Sequence, residues 1–380
     1  MTGMSPAFQV LTTKETKVRI VLSRSRSVMA AAAVLALTAV AAGCGSDDKS
    51  SGGGGGGGDA ANAKIAFMMP DTASTRYELA DKPLFEKRLK EICPGCSVLY
   101  QNADSDAAKQ QQQVDSALAQ GVKAIVLDPV DSAAAATMVQ KAQSQNVPII
   151  AYDRPIPAKA PDYYVSFDNE KLGEMFAQSL VDKVKEENPD GGILQVNGSP
   201  TDAAAGLLKK GMHTAVDSSG LKLLAEFDTP EWAPPKAQEF VSGQISKFGD
   251  KINGVVAAND GTGGGSIAAF KAAGVPVPPV SGNDAELAAA QRILAGDQYN
   301  TISKPIKIVA GAAADIAYAF AQGKPPEAKT TLFNTPSQLF VPSVVTKENL
   351  KEKLIDSGEL KAADVCAKEY AKYCQELGIS

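Results

Sequence analysis

The chain has 380 residues, 44% of them hydrophobic, and a formal charge of -5 from 38 basic and 43 acidic side chains. The charges are scattered without a basic stripe, which removes the electrostatic footprint of a nucleic-acid binder. The one histidine, His213, makes zinc a weaker reading of the cysteines than disulfides, and inside a predicted helix with no nucleophile partner beside it, it does not assemble a convincing Ser-His-Asp triad.

In chain order, the first element is a leader. Lys17, Arg19, Arg24 and Arg26 precede an apolar run from Val28 to Ala42, which ends in small residues before Gly43-Cys44. A basic segment, a short apolar core and small residues at a cleavage point predict an export signal over 1–43. Cys44 directly after it fits the lipobox of bacterial lipoproteins, so Cys44 is expected to be acylated and to tether the protein to the outer face of the cytoplasmic membrane, or to hold it in the periplasm. Seven consecutive glycines follow within a flexible linker over 44–62. The remainder, about 320 residues, exceeds what one hydrophobic core usually serves, so two lobes are expected. With Cys44 assigned to lipid, Cys93, Cys96, Cys366 and Cys374 form an even set, which in an exported chain favours disulfides. Proximity in sequence suggests Cys93–Cys96 and Cys366–Cys374, although four cysteines allow three pairings.

From residue 64 onward, short runs rich in Val and Ile alternate with amphipathic stretches. The predicted strands are 64–69, 98–101, 124–128, 148–153, 163–167, 192–197, 222–227, 254–258 and 277–281. The predicted helices are 107–119, 133–144, 172–185, 203–216, 236–247, 265–273, 285–295 and 306–321. Continuous apolar strands separated by helices point to parallel sheets covered on both faces, an α/β doubly wound fold used twice. Ligands of such sheets bind beyond the carboxyl ends of the strands. There the chain places Asp71 to Tyr77, Asp128-Pro129, Asp153-Arg154, Asp168-Asn169, Gly198-Ser199-Pro200, Asn259-Asp260, Gly282-Asn283-Asp284 and Ser303-Lys304-Pro305. Arg, Lys, Asp and Asn without histidine suit binding better than catalysis. The glycine-rich 261–266 lacks the lysine of a P-loop and reads as helix capping and close packing.

Six of these segments carry a family resemblance: Ala151-Tyr152-Asp153-Arg154, Ser166 to Glu174, Gly198 to Asp202, Ala258-Asn259-Asp260, Ser281 to Glu286 and Lys304-Pro305-Ile306. In order from about 64 to 323, they resemble the xylose-binding branch of periplasmic sugar-binding proteins, type I. The resemblance implies the solute-binding component of an ABC importer, monomeric, without cofactor, metal or enzymatic activity, working with permease subunits in the membrane. It implies two lobes joined by three hinge crossovers near Asp168, Lys304 and Asn334: 63–168 with 304–333, and 169–303 with 334–380, the cysteine-bearing tail packing on the second.

A sugar asks for fixed acceptors, cationic donors and an apolar plate for its ring face. Trp232, the single tryptophan, lies between prolines and charges past a strand, where the resemblance places a stacking aromatic. Arg154 offers a guanidinium fork that Asp153 orients. Arg76 and Tyr77 match the family's Arg-aromatic pair, with Tyr77 in place of the usual tryptophan. Ser199, Asp202, Asn259, Asp284 and Lys304 complete the expected set; Asp202 and Asp260 are also candidate helix caps. Ala203-Ala204-Ala205 departs from the asparagines that tend to follow in the xylose-binding pattern, which leaves space for a hexose. The expected ligand is an aldopyranose, pentose or hexose, with a sugar acid or polyol, or a receptor feeding a sensor, as alternatives.

Overall fold

The computed structural model describes residues 60–379; the expected export signal, Cys44 and the linker up to residue 59 lie outside the described residues. The strand β1 (Lys64–Met69) is buried along nearly its whole length, as a continuous apolar run in a doubly covered sheet must be. It pairs in parallel with β2 (Ser97–Asn102) and β3 (Ala124–Leu127), and β4 (Ile149–Tyr152) and β5 (Tyr163–Phe167) continue the parallel ladder. Two further strands, β11 (Thr335–Phe340) and the antiparallel β10 (Thr330–Leu332), complete a seven-stranded sheet in the order β10-β11-β5-β4-β3-β1-β2. A second sheet, β7-β6-β8, is built in parallel from β6 (Gly192–Asn197), β7 (Lys222–Asp228) and β8 (Ile252–Ala257). A two-stranded antiparallel ribbon joins β9 (Asn300–Ser303) to β12 (Ser343–Thr346). Each of the two main sheets, with its helices, forms a lobe.

The first lobe carries α1 (Lys82–Ile92), α2 (Ala107–Ala119) and α3 (Ala135–Ser144); the second carries α4 (Asn169–Glu187), α5 (Ala203–Ser219), α6 (Pro234–Phe248), α7 (Asp260–Ala273) and α8 (Leu287–Ala295). The chain leaves the first sheet at Asp168, whose carboxylate accepts from the Lys171 N–H and caps α4. It returns through Lys304-Pro305 into α9 (Ile306–Ala321), which packs with α1 in the core of the first lobe.

The third crossing differs from the expectation near Asn334. Phe333 and Asn334 have φ of 48° and 58° and form the tight turn between β10 and β11, and β11 lies beside β5 in parallel. The chain therefore passes to the second lobe after Phe340, at Val341-Pro342; Asn334 marks a hairpin turn, not a lobe boundary. Residues 277–281 also depart from their predicted strand and contribute only the bridge Val255↔Val280. Pro276, Pro278 and Pro279 remove the N–H groups that a ladder needs.

The tail packs on α8 through Leu350, Leu354, Val365 and Cys374, against Ile293 and Leu294. Cys366 is bonded to Cys374, and Cys93 to Cys96. Among the described residues no helix is long and apolar enough to cross a membrane.

Candidate functional site

The carboxyl ends of both sheets and the N-termini of α4, α5 and α7 converge on the gap between the lobes. A narrow cavity of about 30 Å³ lies there, lined from the first lobe by Ser74, Arg76, Tyr77, Asp153 and Arg154, and from the hinge by Lys304. The second lobe supplies Asn169, Asp202, Asn259, Asn283 and Asp284, with an apolar wall of Ala204, Leu208 and Trp232. Asp153, at the end of β4, and Asp284 both have positive φ, 58° and 106°, a backbone cost that places their carboxylates where ordinary strand geometry would not.

Three buried cations organise the site. Arg154, 4% exposed, lies 2.7 Å from Asp71 Oδ2 through Nη2, while its Nε lies 3.1 Å from Asp202 Oδ2 and 3.4 Å from Asp128 Oδ1. Its Nη1 donates to the Pro129 carbonyl at 3.1 Å. Arg76 Nη2 lies 2.7 Å from Asp153 Oδ2, and Lys304 Nζ lies 2.8 Å from Asp284 Oδ1 and 3.8 Å from Asp153 Oδ1. The two lobes are thus joined electrostatically: Arg154 of the first meets Asp202 of the second, and Arg76 Nη1 lies 3.8 Å from Asp284 Oδ1. Because Arg154 balances three carboxylates, its removal strands buried charge. Arg154→Ala should therefore cost stability as well as any affinity.

Burial opposes ionisation of Asp153, but Arg76, Lys304 and Arg154 outweigh it and bring its pKa down to about 2. Asp81 is the opposite case. Burial outweighs Arg76 and the Tyr152 hydroxyl, which donates at 2.5 Å, and lifts it to about 6. Burial likewise raises Asp128 well above the carboxylate range despite Arg154, and neither of its oxygens accepts a hydrogen bond among the described residues.

Asp202 does two things. Its Oδ1 accepts from the Ala204 N–H and caps α5, while Oδ2 accepts from Trp232 Nε1 at 3.1 Å. The tryptophan ring lies against Gly198, where a Cβ would come within 2.1 Å of Cη2, so only glycine permits this seat. Tyr77 carries the Arg76 guanidinium 4.9 Å above its ring centroid, and its hydroxyl lies 3.3 Å from both Asp153 Oδ2 and Arg154 Nη2. One of its faces is thus taken, and its hydroxyl links the two charge clusters. Asn259, not Asp260, caps α7: its Oδ1 accepts from the Thr262 N–H at 2.8 Å. Asp260 is buried and accepts from the Glu286 N–H, Gln298 and Thr301 instead. Ser199 stands apart from the inner group and lines an outer cavity of about 250 Å³ that shares Arg154 and Trp232 with it. His213 lies on α5, its Nε2 3.1 Å from Glu226 Oε1, away from the cleft.

Sequence reasoning did not single out Asn169, Asn283, Ser74 or Leu208. Both asparagines stand at strand ends already noted, yet nothing local distinguishes their side chains from those of their neighbours.

Two α/β lobes with a buried, charge-paired polar cavity between their strand ends define a two-lobed binding protein. Residues 65–325 match the family model of the periplasmic binding protein domain. The chain is 34% identical over 315 residues to the D-xylose-binding periplasmic protein of Escherichia coli K12, an overlap that takes in 80% of this chain and 93% of that protein. Among solved structures it is similar to an ABC transporter solute-binding protein from Clostridium phytofermentans with bound β-D-glucose (26% identity, TM-score 0.71, 80% of this chain and 99% of the other). It is equally similar to a carbohydrate transporter solute-binding protein from Chloroflexus aurantiacus in complex with D-glucose (26% identity, TM-score 0.72, 79% and 97%). The chain belongs to the periplasmic binding protein family.

Proposed function

We propose that this protein is the sugar-binding component of an ABC importer, taking an aldopyranose into the interlobe cavity and closing on it. The observation that carries the reading is a set of buried polar groups left open around the cavity. Arg76 is 5% exposed, and while its Nη2 is held by Asp153 at 2.7 Å, its Nη1 directs no N–H at an acceptor among the described residues, and Asn283 Oδ1 receives no hydrogen bond. Such groups cost free energy unless a ligand satisfies them. Neighbouring hydroxyls, which donate and accept, meet both needs, and Trp232 offers the apolar surface a pyranose ring requires.

The charge balance favours a neutral ligand. Each of Arg76, Arg154 and Lys304 is already matched by at least one carboxylate, so the carboxylate of a sugar acid would meet Asp71, Asp153, Asp202 and Asp284 without a spare cation. Ala204, one of the three alanines where the xylose-binding pattern tends to place asparagine after the aspartate, gives with Leu208 an apolar wall compatible with the added carbon of a hexose. The relatives' xylose and glucose support the aldopyranose class without choosing within it.

Calorimetric titration of the refolded protein from residue 59 onward with xylose, glucose, galactose, arabinose, ribose and fructose tests the reading. Saturable binding of one aldose is expected; heat-silent titrations across all six would sink it. The leader supports tethering through acylated Cys44, and Cys44→Ser should release the protein from the membrane fraction of cells; retention there would remove the anchor from the proposal.

A further inference from the structure

The hinge residue Lys304 is held from behind by the C-terminal tail. Ser303, the last residue of β9, donates its hydroxyl to Glu359 Oε2 at 2.5 Å, across 56 residues of sequence. The adjacent Lys304, through its backbone N–H and its charge, favours the ionised form of the same carboxylate. Ser303 and Lys304 are 3% and 4% exposed, so this small junction is a fixed part of the interior. Glu359 is itself positioned by the tail. The Glu359 N–H donates to Ser357 Oγ, and the Leu360 N–H donates to the Leu354 carbonyl at 2.8 Å, with Leu354 in the core that α8 shares with the Cys366–Cys374 segment.

On the other side of the same backbone, the Lys304 ammonium is the group that ties Asp284 of the second lobe to Asp153 of the first. A lysine side chain has four rotatable bonds and holds a fixed position only as well as its backbone does. We propose that Glu359 is a positioning residue for ligand binding: by accepting from Ser303, the residue before Lys304, it fixes the hinge backbone so that Nζ bridges Asp284 and Asp153. It is not itself among the residues that line the cavity, and it lies in a stretch with no strand-end pattern, which is why the sequence gives no sign of it.

The junction should also sense pH. Burial outweighs the Ser303 and Lys304 hydrogen bonds and the Lys304 charge, and lifts the Glu359 pKa to about 7. Lys304 is the charged group acting on it. As pH falls through that value the carboxylate gains a proton, becomes a weaker acceptor, and releases the hinge backbone. Asp81 at about 6, Asp260 at about 8 and the raised Glu286 titrate in the neighbourhood of this range, so the informative quantity is the difference between the wild type and a variant without the titrating group.

The proposal rests on the sugar-binding reading for its functional consequence, and the experiment separates the two. In the full chain, wild type, Glu359→Ala and Glu359→Gln are titrated with D-xylose and D-glucose between pH 6 and 8, and hydrogen exchange of the segment 300–308 is followed without sugar. A glutamine can accept from the Ser303 hydroxyl through its amide oxygen without titrating. Glu359→Gln should therefore bind within about twofold of wild type at pH 8, and Glu359→Ala about fivefold more weakly, the worth of one or two hydrogen bonds. Wild-type affinity should fall more steeply than that of Glu359→Gln from pH 8 to 6, and exchange at 300–308 should quicken in Glu359→Ala. Equal affinity in wild type and Glu359→Ala would overturn the proposal. So would equal losses in both variants that follow their unfolding midpoints, since these would show a structural role alone. If the wild type binds neither sugar, the ligand reading fails, and unchanged exchange at 300–308 in Glu359→Ala would still sink the positioning role on its own.

Discussion

Asp153 shows how one residue's environment sets a macroscopic property. Its carboxylate, only partly shielded by burial, lies between Arg76 at 2.7 Å and Lys304 at 3.8 Å, and titrates at about 2 in place of 3.8. A depressed folded pKa means stability that is fully present above the unfolded value and is lost as pH falls through the folded one. The shift corresponds to about 2 kcal/mol. Wild type should therefore lose about 2 kcal/mol more than Asp153→Asn between pH 4 and pH 2, read as the difference of their urea unfolding free energies along that range. Parallel losses in the two proteins would show that Arg76 and Lys304 are satisfied without Asp153. The same pairing keeps Asp153 ionised throughout the neutral range, so the pH response expected of Glu359 does not pass through it.

At the scale of elements, the N-terminal ends of α4 and α5 carry Asn169 and Asp202 into the cleft, and their mutual distance is set by two glycines. A Cβ at Gly211 would lie 2.0 Å from the Glu170 carbonyl oxygen, and one at Gly173 2.3 Å from that of Leu208. The helices touch backbone to backbone, so Gly211→Ala must push them apart; overpacking of this kind costs about 2 kcal/mol. Denaturant unfolding should show that loss, and sugar affinity should fall with it because Asp202, its Trp232 partner and Asn169 shift together. Undiminished stability would mean that the contact yields without strain. Much of this framework was legible beforehand: residues 64–69, 163–167 and 192–197 are apolar enough to announce buried parallel strands, and 107–119 and 306–321 show helical periodicity to the residue. β9 and β11 were not, because Asn300–Ser303 and Thr335–Phe340 mix polar residues and a proline, and are strands only by virtue of the neighbours that cover them. The site divides in the same way. Asp153 and Arg154 stand at the end of β4, where topology alone places ligand groups, whereas Asp284 and Lys304 were marked by the family resemblance. Asn283 depends on a side-chain direction and Glu359 on a tail folded back across the molecule, and neither leaves a mark in local sequence.

Across the whole molecule, the lobes are held together by contacts that do not belong to the ligand cavity. The Thr75 N–H and hydroxyl of the first lobe both donate to Glu286 Oε1 of the second, each at 3.1 Å. Elsewhere along the cleft the Ser132 N–H donates to the Thr201 carbonyl, and the Ala203 N–H to the Ser132 hydroxyl. Glu286 is outside the group lining the inner cavity, so its side chain acts on binding through closure and not by direct contact. If ligand is held tightly by the closed form alone, apparent affinity is the intrinsic affinity scaled by the closed fraction. Losing two hydrogen bonds of about 1 kcal/mol each, partly recovered by water in the open form, lowers that fraction by about three- to tenfold. Glu286→Ala should weaken sugar binding by that factor and raise the radius of gyration of the sugar-free protein in small-angle scattering. Glu286→Gln, which keeps an acceptor for Thr75, should lie between it and wild type in both measurements. Affinity and scattering unchanged in Glu286→Ala would show that the charge pairs Arg154–Asp202 and Arg76–Asp284 close the lobes without the Thr75 latch.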